Sequence, residues 1–176
     1  MTLNLDKCVI GKERISWWGM YITGDGITPD PTKVQALKHA SPPKNKEELK
    51  SLLCMIQSNR DFIPSLSRKT THLRALTKKH QPFVWDKNCE KEFNCIKKDF
   101  KKETLLHHFD PALETYIHVD AHKSGLSSVL MQGPQDHAKP IAFSSRATTP
   151  VESRYPQLHL RHSLLIMVCA DSERTL

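Results

Sequence analysis

The side chains of this 176-residue chain that most readily do chemistry are its lysines. Lys87, Lys91, Lys97, Lys98, Lys101 and Lys102 surround a helical pattern between Asn88 and Lys102. Ammonium groups at that spacing can track the phosphates of a nucleic acid, and the same spacing equally suits a solvated helix face. The whole chain leans the same way: 26 Lys and Arg against 19 Asp and Glu give a formal charge of +7, a field that attracts polyanions. Asp120, closing the run Thr115-Tyr116-Ile117-His118-Val119-Asp120, is on its own ordinarily a turn residue.

Other chemistries find less support. Five cysteines, Cys8, Cys54, Cys89, Cys95 and Cys169, are odd in number and scattered, which points to reduced intracellular thiols rather than a disulfide framework. Cys89 and Cys95 are too far apart for a Cys-x-x-Cys knuckle, and the ten histidines form no ligand set, so zinc is not expected. No apolar run approaches the roughly 20 residues that span a bilayer, so no membrane partner is expected. Location in cytoplasm or nucleus is left open. Hydrophobic content of 38% with 26% charged residues argues against disorder of the whole chain.

Several elements must position these groups. Short apolar groups from Cys8 to Ile27, with the turn Thr23-Gly24-Asp25-Gly26, predict a β-hairpin or small sheet in which Trp17 and Trp18 pack rather than stack on bases. Asp30 as N-cap and Pro31 at the first position open a helix over Thr32 to His39. Asn45-x-x-Glu48 reads as a capping box ahead of Leu49, Leu52, Leu53 and Ile56, with Lys46 and Lys50 facing out. A further helix is predicted from Ser67 to Lys79, and the lysine-rich helix turns Phe93, Ile96 and Phe100 inward. After Phe109-Asp110-Pro111 come three strand patterns, Thr115 to Asp120, Ser127 to Gln132 and Pro140 to Ser145. A last helix begins near Pro150-Val151-Glu152 and runs to Cys169.

This order, with its local strings, resembles the Pol polyprotein of gypsy-type long-terminal-repeat retrotransposons. Leu5-x-Lys7-Cys8, Trp18-Gly19 and Gly26-Ile27-x-Pro29-Asp30-Pro31-x-Lys33-Val34 are similar to the segment after the polymerase palm. Pro43-Lys44-Asn45, Glu48-Leu49, Ser51-x-Leu53 and Arg60-x-Phe62-Ile63-Pro64 resemble the thumb, and Phe83-x-Trp85 with Glu90 and Phe93 the connecting segment. Val119-Asp120-Ala121, Gly125-Leu126, Val129-Leu130, Gln132 and Pro140-Ile141-Ala142-Phe143-Ser144-Ser145-Arg146 resemble the opening strands of the fused RNase H domain, with Arg154-Tyr155 leading into its first helix.

The resemblance implies an α+β fold in three parts. Residues 1–28 would be a palm remnant with primer-grip-like strands, 29–108 thumb and connection-like helices, and 109–176 a partial RNase H-like antiparallel sheet with one helix. It makes Asp120 the first carboxylate of a two-metal hybrid-cleaving site and hence a vestigial catalytic and metal position, with Mg2+ the ion of the parent family. It also implies that Lys33, Lys46, Lys50, Lys97, Lys98 and Lys101 contact an RNA-DNA hybrid or duplex, weakly and without sequence preference.

The departures weigh against catalysis by this chain. No Tyr-x-Asp-Asp turn occurs, Arg161 stands where the family commonly has a Glu, and no acidic residue lies between Glu152 and Asp171. A guanidinium where a divalent cation must sit turns attraction into repulsion, so no bound cofactor is expected. Three readings follow: a catalytically incompetent polyprotein fragment that binds nucleic acid, a part of an intact reverse transcriptase and RNase H whose flanking sequence is missing, or a host-adopted protein interaction module.

Overall fold

The protein is described by a computed structural model covering residues 8–101 and 104–175, with side chains at 101, 167 and 169–175 excepted. Leu5, Lys7 and Lys102, and the side chains of Lys101 and Cys169, therefore lie outside the described residues.

The first part is a small three-stranded antiparallel sheet, one of the two expected forms: β1 (Arg14–Trp17), β2 (Met20–Thr23) and β3 (Gly26–Pro29), in that order. Trp18 and Gly19 make the first turn with φ of 52° and 79°, the positive-φ pair whose twist matches the flanking strands. Trp17 and Trp18 do not pack, contrary to the sequence expectation; they are 58% and 82% exposed. The reason is position, since β1 is an edge strand with no buried residue and Trp18 sits at the turn itself.

The helical part follows. In α1 (Pro31–His39) the Asp30 carboxylate accepts from Thr32 N at 2.8 Å, so the predicted cap forms. In α2 (Lys46–Gln57) Asn45 Oδ1 accepts from Glu48 N at 2.8 Å, while Glu48 reaches back one residue further than a capping box requires, to Lys44 N. The expected helix from Ser67 to Lys79 is two short ones, α3 (Leu66–Lys69) and α4 (Thr71–Leu76). Thr70, at φ −119°, breaks it, and its buried hydroxyl bonds the Leu66 carbonyl. The lysine-rich helix α5 (Lys87–Lys101) is capped by Asp86, which accepts from Cys89 N at 2.8 Å.

One apolar core unites these helices: Val34 and Leu37 from α1, Leu49, Leu52 and Ile56 from α2, Leu73 and Leu76 from α4, and Cys89, Phe93, Ile96 and Phe100 from α5. Trp85 meets Phe93 edge to face at 5.9 Å between ring centroids, and its indole N–H donates to Glu90. Cys89 belongs to this core, and burial, followed by its hydrogen bond with Asp86, pushes its thiol up to about 11. It therefore stays a protonated packing residue.

The second sheet consists of β4 (Thr115–His122), β5 (Gly125–Gln132) and β6 (Lys139–Arg146), antiparallel in that order, as the three strand patterns predict. The last helix, α6 (Gln157–Thr175), starts later than expected, because Glu152–Arg154 forms only a 3₁₀ turn and Tyr155 is extended before Pro156. Leu160 and Leu164 of α6 cover Ala121 and Leu126 of the sheet. Residues 104–109 form a strap between the two sheets: Leu106 exchanges both backbone hydrogen bonds with Ile27 of β3, and His107 N donates to Pro140 O of β6. Gly26, at φ 146°, is where Leu106 O passes too close for any Cβ.

Candidate nucleic-acid interface and the Asp120 carboxylate

Helical spacing on α5 and the crossing of α1 over it bring Lys38, Asn94, Lys97 and Lys98 around a groove of about 430 Å³. Lys97 serves two ends. Its Nζ donates to Ala40 O at 2.8 Å, closing the C-terminus of α1, and lies 5.0 Å from the Phe93 ring centroid, so the ammonium is fixed at the groove rather than swinging in solvent. Lys98 is exposed beside it. Of the lysines singled out in the sequence, these two are brought together; Lys38 and Asn94 join them from positions the periodicity of one helix does not reveal.

The remaining lysines stand elsewhere. Lys33 lies across the Trp18–Gly19 turn, with its ammonium against Gly19. There it shares one end of the first sheet with two exposed indoles, and Arg14 stacks over Tyr21 at 3.6 Å on the same sheet. Lys46 does not simply face out: its Nζ donates to Lys78 O at 2.8 Å and ties α2 to the segment after α4. Lys50 is exposed on α2.

Asp120 lies opposite Ser127 in the β4–β5 ladder and shares its face, while Ala121 next to it turns to the face covered by α6. The face carrying Asp120 meets α3. Ser65 and Ser127 share a hydroxyl hydrogen bond of 3.0 Å, and Ser67 N donates to Ser145 Oγ at 3.3 Å. Arg68 Nη1 approaches Asp120 Oδ2 to 3.5 Å. A pocket of about 130 Å³ between Pro64 and Ser65 on one side and His118, Asp120, Val129 and Phe143 on the other completes the seam. Arg161 is exposed on α6.

Tested as a cation site, this donor set does not fit. Asp120 has a guanidinium as its neighbour, and among the described residues no three His, Cys, Asp or Glu side chains gather closely enough to hold a metal ion. Two hard cations need several anionic oxygens between them.

A two-bond ion pair at the end of β6 was not singled out from sequence. Arg146 grips Glu152 with two bonds of 2.8 and 2.7 Å, and Thr149 N donates to the same carboxylate at 2.8 Å. The Arg146 hydrogen bonds, with those from Thr149, hold the Glu152 carboxyl down at about 2. Thr149-x-x-Glu152 is a capping-box spacing, the one signal that could have found it. Arg68 had no such signal, since its partner lies 52 residues away.

Residues 85–172 match the RNase H-like domain found in reverse transcriptase. The Pol polyprotein of transposon 412 from Drosophila melanogaster is 30% identical over 87% of this chain. That of transposon opus, from the same organism, is 26% identical over 99% of it. The Tf2-3 polyprotein of Schizosaccharomyces pombe is 26% identical over 88%. The chain spans only 12%, 18% and 12% of these relatives. Among solved structures, a foamy viral protease-reverse transcriptase in complex with an RNA/DNA hybrid superposes with a TM-score of 0.74 at 18% identity, over 92% of this chain and 22% of that one. The same protein with double-stranded DNA gives 0.69 at 19% identity, over 90% and 34%. The α+β fold is thus that of a reverse transcriptase segment, and the chain belongs to the family of RNase H-like domains found in reverse transcriptase, in the setting of a retrotransposon Pol polyprotein, with relatives consistent with the gypsy type.

Proposed function

We propose that this chain is a nucleic-acid-holding, non-cleaving segment of a reverse transcriptase and RNase H polyprotein. The observation that carries the reading is the groove where α1 and α5 assemble Lys38, Lys97 and Lys98 around Asn94. Ammonium groups neutralise phosphates without reading bases, so binding to an RNA-DNA hybrid or duplex is weak, sequence-independent and steeply weakened by salt. Lys33 and the exposed Trp18 form a second contact point at the first sheet. The described part of residues 1–28 then acts as primer-grip-like strands, residues 29–108 as thumb and connection, and residues from 109 on as the RNase H-like part.

Cleavage is left out of this role because Asp120 holds Arg68 and not a cage of oxygens. Mg2+ belongs to the parent enzymes, and the donors described in this chain do not suit it. A fluorescence anisotropy titration with labelled hybrid and duplex at rising salt tests the reading. No binding at low salt ends the first half of it. Magnesium-dependent cutting of the RNA strand, abolished by Asp120→Asn, ends the second.

A second reading is favoured by the share of the relatives' length that the chain matches: the same segment works inside a longer polypeptide that supplies the palm aspartates and further carboxylates. Sequencing full-length transcripts tests it, and a reading frame without an upstream palm sinks it.

A further inference from the structure

Lys87, Lys91 and Lys98 of α5 are all exposed and stand four and seven residues apart. At about 100° per residue they fall within about 40° of one another around the helix. Cys89, Phe93, Ile96 and Phe100 hold the opposite side in the core. The lysines therefore form a single file, about 16 Å long at 1.5 Å per residue. Lys98 ends the file at the α1–α5 groove, so file and groove make one continuous path.

A solvated helix face normally mixes its signs, with acids set a turn away from lysines. Here the acids are withdrawn. Asp86 accepts from Asn88 N and Cys89 N, and Glu90 from the Trp85 indole and the Asn94 amide. Glu92 accepts from His72 N and Leu73 N, and Asp99 pairs with Lys69. Among the described residues no carboxylate forms an ion pair with Lys87, Lys91 or Lys98. Lys87 and Lys91, one turn apart, repel each other until a polyanion lies over them.

Resting on the nucleic-acid-holding role above, we propose that this file extends the groove and holds one polynucleotide strand along its backbone, so that a single strand engages as many phosphates as a duplex. A second strand lies across a groove about 6 to 12 Å wide and needs a second row of cations. The flanks do not supply one. Toward α1 stands Lys97, whose Nζ is given to Ala40 O, and on the other side stands the exposed Cys95. The aromatic residues of α5, Phe93 and Phe100, are buried, so no base is stacked and base composition does not matter.

Anisotropy titrations of the full chain with labelled single-stranded oligo-dT and duplex DNA of equal length, over a range of salt, test this. The slope of log affinity against log salt, about −0.7 per phosphate on a single strand and about −0.9 on duplex, is expected to give the same number of phosphates for both. Lys87→Gln and Lys91→Gln are each expected to make the single-strand slope shallower by about 0.7. Lys139→Gln, on β6, is expected to leave it unchanged. Duplex binding without single-strand binding overturns the single-file path and leaves the role of the groove standing. So does a single-strand slope that responds to Lys98→Gln but not to Lys87→Gln or Lys91→Gln. An equal shift from Lys139→Gln overturns the path by reducing it to general charge, and no binding of either probe at low salt ends both the path and the groove's role.

Discussion

Arg68, on the four-residue helix α3, sets its guanidinium 3.5 Å from the carboxylate of Asp120 on β4. The residue that the family resemblance assigns to metal binding is thus part of a seam between the helical part and the second sheet. Both side chains are half exposed, so the pair is screened by solvent and salt, and its worth is small. Arg68→Ala and Asp120→Asn are each expected to cost no more than about 0.5 kcal/mol in urea unfolding. A loss several times larger would show that the seam depends on this pair rather than on the serines beside it.

Lys69, the next residue, behaves differently. Its Nζ meets Asp99 of α5 at 2.5 Å, and both side chains are more than four-fifths buried. Asp99→Ala leaves a mostly desolvated ammonium without its partner and is expected to cost about 2 kcal/mol, between the exposed and fully buried limits. Denaturant midpoints for the two variants Asp99→Ala and Asp120→Asn should therefore rank in that order.

Thiol labelling followed by mass spectrometry should separate the cysteines. Cys54 and Cys95 are exposed and should react in the folded protein, whereas Cys89, buried and with its thiol pushed up to about 11, should label only on unfolding. Fast labelling of Cys89 would mean that the helical core opens readily.

Acid should weaken the second sheet through Glu152. Its carboxyl is held at about 2 in the folded chain against an ordinary 4.5, so the Arg146 bond stabilises fully above about 4.5 and is lost as pH falls toward 2. Arg146→Gln should remove that part of the pH dependence. Thermal melts of both proteins between those limits provide the check, and parallel curves would assign the acid sensitivity elsewhere.

If the α1–α5 groove holds phosphates, Lys98→Glu and Lys38→Glu should each weaken hybrid and duplex alike. On duplex, the slope of log affinity against log salt should become shallower by about 0.9 for each phosphate that the variant no longer neutralises. Lys50→Glu, on α2 and away from the groove, provides the comparison. Equal effects from all three would reduce the groove to general charge.

Local rules made most of the architecture readable. Asp30 and Asn45 cap the helices that their spacing announces, Phe93, Ile96 and Phe100 face inward, and the three strands after Phe109 pair in sequence order. The misses share a cause. Thr70 breaks a helix by a hydrogen bond that helical periodicity does not encode, and Trp17 and Trp18 read as core because hydrophobicity says nothing about which strand lies at an edge. The site was less readable than the fold. Lys46 and Lys97 are tied to carbonyls 32 and 57 residues away, and Arg68 finds Asp120 across 52. Such pairings follow from tertiary packing, which the spacing along one element cannot report.

The strap through Leu106 and His107 is stitched on one side to β3 and on the other to β6. A polypeptide anchored this way works like a shared hinge pin: while it holds, neither leaf can open far without loading the other.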